Sequence, residues 1–266
     1  MQDQTLGVNR ELPASAKAKC QGCRDGEALG FEFTMAFHPI FDTKAGRPWG
    51  YEALVRGPGG EGAGTVLGRL NDDNLYRFDQ AARVKAIELA GRLFPRGGAE
   101  RLSINFMPNA VYEPTACIRA SLGAAARVGF DPRRLMFEFT ENERMSDAGH
   151  VKKIIQAYRR MGFTTALDDF GAGYAGLSLL AEFQPDLIKL DMQLLRGIDK
   201  APPKQAIVAA LVWLARELNI AVIAEGVETE AELRVVQAAG VHLVQGYLFA
   251  KPALERLPQT SFALAA

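Results

Sequence analysis

The chain has 266 residues, 48% of them hydrophobic, with 31 basic side chains against 31 acidic ones. That composition supports a sizeable core and excludes wholesale disorder. Zero net charge leaves no overall pull toward duplex nucleic acid or an anionic membrane, though it permits a local cationic pocket.

Residues 1–30 are polar and aperiodic and read as an extension, with Cys20-Gln-Gly-Cys23 inside it. The opening MQDQTLGVNREL lacks the charged-then-apolar layout of a secretion signal. The longest apolar run, Ala206 to Ala215, is about half of what a bilayer span needs. Three cysteines are too few for a disulfide framework, so a cytoplasmic protein without a membrane span is expected. One CxxC supplies only two metal ligands and Cys117 is distant, which leaves an inert tail or an intersubunit metal or redox pair.

From Phe31 onward, strand-like and helix-like segments alternate. FEFTMAFHPI (31–40) and WGYEALVR (49–56) are strand candidates separated only by FDTKAGRP, too short for a helical crossover, so a hairpin with one antiparallel strand is expected. PGGEGAG (58–64) reads as a flexible loop. Leu75, Phe78, Ala82, Ala86, Leu89 and Leu93 then recur at helical spacing. Strand candidates RLSINF (101–106) and RLMFEFT (134–140) follow. Val151, Ile154, Ile155 and Tyr158 mark a helix that stops near Gly162, ahead of TTALDDF (164–170) and DLIKLD (186–191). Ile207, Leu211, Leu214 and Leu218 mark another helix before IAVIAEGV (220–227). Thr229 and Glu232 form a capping box for a helix ended by Gly240, and HLVQGYLF (242–249) is the last strand candidate.

Eight strand candidates alternating with helices predict an α/β fold, a (β/α)8 TIM barrel modified by one antiparallel strand near the N-terminus. It would occupy 31–255, with 256–266 as a tail; a doubly wound sheet is the alternative. Barrel chemistry gathers at the C-terminal strand ends, and those ends are polar here: Glu52, Asn105, Glu138, Asp168, Asp169, Lys189, Glu225 and Gln245 each interrupt an apolar segment. Unpaired buried carboxylates are costly, and converging acids shift one another's pKa values. Hard divalent cations such as Mg²⁺ or Mn²⁺ resolve that difficulty, whereas a site with no cysteine and little histidine disfavours structural zinc. Two ions sharing a carboxylate suit phosphoryl displacement. Asp168 and Asp169 would face opposite ways on a regular strand, so both serve one site only if the strand ends there, with Gly171 and Gly173 allowing the bend.

These segments together resemble the EAL domain, the bacterial phosphodiesterase family that linearises cyclic di-GMP. Glu52-Ala53-Leu54 is the naming motif. INF, FEFTEN, DDFGAGYAGLS, IKLD, AEGVETEAEL and VQGYLFAKP follow in family order across about residues 33–252. The resemblance implies that Glu52, Asn105, Glu138 and Asp168 bind one Mg²⁺ or Mn²⁺ ion, and that Asp168 bridges to a second held also by Asp169 and Glu225. Glu52, Lys189 and Glu225 would be catalytic, with Lys189 orienting or helping to deprotonate the attacking water. His38, Leu54, Arg56, Asp191, Glu228 and Gln245 would meet the substrate. Glu141 would anchor a regulatory loop that includes Gly171 and Gly173. Homodimers and attached sensor domains are common in the family, and YEALVRGPGGEGA and INFMPNAVY are especially similar to EAL domains coupled to blue-light flavin sensors. The chain departs from the pattern at His38, where a glutamine is usual. His150 and His242 read as surface or packing residues.

Overall fold

In the computed structural model, residues 29–108, 111, 113–140, 148–173 and 176–260 are described; Cys20, Cys23, Glu141 and the last six residues lie outside them. The front hairpin sets the architecture. Strand β1 (Thr34–Asp42) runs antiparallel to β2 (Arg47–Arg56), placing His38 opposite Glu52. Strands β3 (Arg101–Asn105), β4 (Leu135–Thr140), β5 (Thr164–Phe170), β6 (Leu187–Leu190), β7 (Ala221–Ala224) and β8 (Leu243–Gln245) then follow β2 in parallel, neighbour by neighbour. Strand β8 pairs with the antiparallel β1, which closes the barrel. A doubly wound sheet would leave two open edges, so closure excludes that alternative. A further strand, β9 (Ala253–Leu254), lies along β1 and was not expected, because a two-residue strand is too short to show a period.

Helices α1 (Ala63–Leu67), α2 (Leu75–Leu93), α3 (Pro114–Cys117), α4 (Arg119–Val128) and α5 (Ala148–Arg160) occupy the first half. Helices α6 (Gly176–Glu182), α7 (Met192–Leu195), α8 (Pro202–Glu217) and α9 (Glu230–Ala238) follow. The expected stripes of α2 and α5 are buried, among them Phe78, Ala86 and Leu89, then Val151, Ile154 and Tyr158. Both bonds of the capping box open α9. Two expectations need correction. Helix α1 begins at Ala63, inside the segment read as a loop. In helix α8 the expected Leu211, Leu214 and Leu218 pack against the core, but Val208 and Ala215 are the fully buried positions and Ile207 is left 47% exposed, because apolar residues run continuously from Ala206 to Ala215 and blur the face. Among the described residues no helix is long and apolar enough to cross a membrane.

Inside the barrel the period of two creates layers. Ile40, Met136, Ala166, Leu187 and Ile223, with Trp49 and Leu243 against them, form an apolar plug separate from the outer core. Two residues further toward the C-terminal strand ends, the inward positions carry Glu138, Asp168, Lys189, Glu225 and Gln245. Because β1 runs backward, its residue in that polar layer precedes the plug residue: His38 before Ile40.

Candidate metal and substrate site

Each of β1–β8, or the residue just after it, contributes one polar side chain to this layer: His38, Glu52, Asn105, Glu138, Asp168, Lys189, Glu225 and Gln245. Lys189 is at the centre and fully buried. Its Nζ lies 2.7 Å from Glu225 Oε1, 3.0 Å from Glu138 Oε2, 3.0 Å from Asp168 Oδ1 and 3.4 Å from Glu52 Oε2. Burial works against the ammonium, but Asp168, Glu138, Glu225 and Glu52 together carry its pKa well above the ordinary lysine value.

One ammonium does not neutralise all of these acids. Burial, against the attraction of Lys189 and reinforced by Glu52 and Asp168, pushes Glu138 up to about 8. Burial and Asp168 raise Glu225 well above the carboxylate range. Asp169 rises to about 6 through burial and the nearby Asp168 and Asp191 charges. Glu52 goes the other way: burial is outweighed by Lys189 and by hydrogen bonds from Gln245 Nε2 at 2.8 Å and Asn105 Nδ2 at 2.9 Å.

The Gln245 amide is oriented by His38. His38 Nε2 donates to the Ala250 carbonyl at 3.2 Å, leaving Nδ1 to accept from Gln245 Nε2 at 2.8 Å. Burial holds the His38 pKa below its usual value, in keeping with a neutral ring. Gln245 Oε1 is then left buried and without a hydrogen bond among the described residues, as is Glu138 Oε1.

Asp169 reaches the site by a route different from the expected one. Strand β5 does not end at Asp168 but continues to Phe170 through an irregularity in its pairing with β6. The reversal occurs at Asp169 itself, whose φ of 54° is left-handed, a conformation aspartate tolerates better than most residues. Its backbone N–H donates to Asp168 Oδ1 at 3.0 Å. Gly171, with φ of 94°, continues the turn and packs so closely on Leu194 that a Cβ would lie 2.5 Å from Cδ1. Gly173 lies in the bend beyond it.

Five carboxylates thus form two clusters that could each hold a cation. Oxygens of Glu52, Glu138 and Asp168 lie within 4.8 Å of one another, and so do those of Asp168, Asp169 and Glu225, with Asp168 shared. All are hard donors, and the unpartnered Glu138 Oε1 and the raised carboxyl pKa values leave unused affinity for positive charge. The residues present fit divalent cations of the Mg²⁺ or Mn²⁺ kind.

Above the layer opens a cleft of about 260 Å³. Of the expected substrate residues, His38, Asp191, Glu228 and Gln245 line it. Leu54 does not; it walls an apolar groove beyond Asn105. Arg56 does not line the cleft either, and its Nη1 donates to the Val55 carbonyl at 2.7 Å. Asp191 also caps α7 through the Gln193 N–H, 2.8 Å. The cleft includes residues the sequence reading missed: Met192, Tyr247 and Arg196, which pairs with Glu228 at 2.6 Å. Tyr247 was hidden because VQGYLF read as continuous strand, whereas β8 stops at Gln245. Gly246 there passes so near Val227 that a Cβ would meet its carbonyl oxygen at 2.1 Å. Arg196, a cation just after the IKLD segment, was the one available signal.

The profile of the EAL domain family matches residues 27–252. The chain belongs to the EAL domain family. Among curated relatives, the Escherichia coli blue light- and temperature-regulated antirepressor BluF is 33% identical over 86% of this chain and 56% of its own length. The cyclic di-GMP phosphodiesterase PA2567 of Pseudomonas aeruginosa is 31% identical over 86% of this chain and 40% of its own. The chain thus spans about half or less of these relatives. A standalone EAL protein of Vibrio cholerae O395, solved in a c-di-GMP-bound form, is 51% identical with a TM-score of 0.84, covering 88% of this chain and 98% of that one.

Proposed function

We propose that this EAL domain is a cytoplasmic, divalent-metal-dependent phosphodiesterase that hydrolyses cyclic di-GMP to linear pGpG. The observation that carries the reading is the pair of carboxylate clusters sharing Asp168 beneath the cleft, with no acid of the set missing. Glu52, Asn105, Glu138 and Asp168 would hold one Mg²⁺ or Mn²⁺ ion, and Asp168, Asp169 and Glu225 a second. Bound there, such ions supply Lewis-acid polarisation of a phosphate and a water of lowered pKa. The overall step adds one water across a P–O3′ bond; the phosphorus gains the water oxygen and O3′ gains a proton.

The chain's own residues bind and orient. Lys189, held as an ammonium among the acids, places positive charge beneath the reacting phosphate and orients water rather than taking its proton. His38 and Gln245 fix Glu52, while Asp191, Glu228, Arg196 and Tyr247 shape the cleft for the dinucleotide. Leu54 and Arg56, which do not line the cleft, would act at its margin. The turn of Gly171 and Gly173, with Glu141, would carry regulation, in a homodimer or through a sensor or regulatory protein.

A second reading is a binding or interaction module without turnover. It is favoured by the relative named as an antirepressor. Purified protein with Mn²⁺ or Mg²⁺ is expected to convert cyclic di-GMP to pGpG, monitored by chromatography. Tight dinucleotide binding without product under either metal would instead establish a receptor.

A further inference from the structure

Helix α2 carries a buried ion pair that the proposed reaction does not use. Arg83 Nη2 lies 2.6 Å from Asp79 Oδ2, one turn away, and both side chains are buried against the barrel. Arg83 Nη1 donates to the Tyr158 hydroxyl on α5 at 3.4 Å, and Tyr158 packs on Phe106 and Phe137. The free oxygen of Asp79, Oδ1, accepts the backbone N–H of Met107 at 3.0 Å.

Met107 stands two residues beyond Asn105. The intervening Phe106 donates its N–H to the Glu138 carbonyl at 2.9 Å. The chain leaving Asn105 is therefore tied at successive amides, first to the strand of one metal-site acid and then to Asp79. Packing does not fix it alone, because Leu54, Phe78, Asn105 and Met107 face an apolar groove of about 490 Å³. Nor does stability account for the ion pair: desolvation of two buried charges offsets their attraction, and apolar replacements are often as stable. What the carboxylate adds is a directed acceptor at one place.

Resting on the metal-site reading above, we propose that Asp79 is a positioning residue that sets Asn105 for its part in the first metal cluster, with Arg83 and Tyr158 holding Asp79 in place. Calorimetric Mn²⁺ titration of the chelator-stripped protein tests this in a double-mutant cycle. Asp79→Asn and Asp79→Leu/Arg83→Met, which keep the volume, are each measured with and without Asn105→Ala. Loss of an outer partner is expected to weaken Mn²⁺ binding by about tenfold or more, and not at all further once Asn105 is gone. Unchanged affinity in folded variants, or losses that simply add, would overturn the proposal. The unaltered protein gives an independent reading: Met107 amide exchange as slow as that of β3 supports the tether, and fast exchange overturns it. Because the cycle reads affinity, additive losses in a protein that hydrolyses cyclic di-GMP break this inference alone. Coupled losses in a protein without turnover break only the proposed function.

Discussion

Two layers of the same barrel, one residue pair apart on the same strands, obey opposite rules. Met136, Ala166, Leu187 and Ile223 are apolar, buried in one cluster and free of charge. Glu138, Asp168, Lys189 and Glu225, the next inward residues, form a buried cluster in which a single ammonium faces several acids. The lower layer contributes stability by burial; the upper one consumes it and keeps affinity for cations in return. A fold can confine this charge because the strands beneath are already closed and packed.

The sharpest break of the comparison is Glu52→Ala. It is expected to lower turnover by more than about 100-fold, beyond the loss of an outer partner, while melting changes little. A comparable fall in melting temperature would show that the upper layer is structural. Lys189→Met should cost about 3–5 kcal/mol in the metal-free protein, since it leaves buried acids without their cation. Mn²⁺ should narrow that deficit in thermal melts. Met136→Ala in the lower layer should cost about 2–5 kcal/mol in denaturant unfolding, with turnover per folded molecule little altered.

A gentler test uses pH. Glu138, at about 8, and Asp169, at about 6, are raised above their unfolded values. The stability linked to their protons is complete below about 4 and is lost as pH rises through those values. Metal-free protein should therefore melt progressively lower from pH 5 to pH 8, and Mn²⁺ should reverse the trend while releasing protons. Melting temperatures that climb over that range without metal would contradict the assigned directions. The smallest effect is expected for His38→Gln. Glutamine can also donate to the Ala250 carbonyl and accept from Gln245, so turnover should change by less than about 1 kcal/mol, roughly fivefold. A larger loss than that of Asp168→Asn would mean the ligand assignment is misplaced.

The upper layer was largely legible in the sequence because a charged residue inside a short apolar run has few structural explanations. Glu138 in LMFEFT and Lys189 in LIKLD announce themselves in that way. Asp169 was legible as a residue but not as a conformation, since its left-handed φ follows from tertiary constraint. Asp79 and Arg83 have the spacing of an ordinary exposed helix pair; only the packing of α2 against the barrel shows them to be buried. Strand β9 is too short to carry a period, and the continuous apolar run of α8 let Leu211, Leu214 and Leu218 be read correctly while misplacing Ile207. Leu54 and Arg56 show the opposite limit: the resemblance assigns both to the substrate, yet neither lines the cleft.

The reversed β1 has one more consequence. In a regular barrel the first strand begins at the face opposite the reactive one. Here Thr34 is paired with Arg56 at the C-terminal end of β2, and the chain reaches it past Phe31 and Phe33, which pack on Phe78. Whatever polypeptide is joined ahead of residue 29 is thus leashed at the mouth of the barrel. The direction of a single strand puts the start of the described chain on the same face as the cleft.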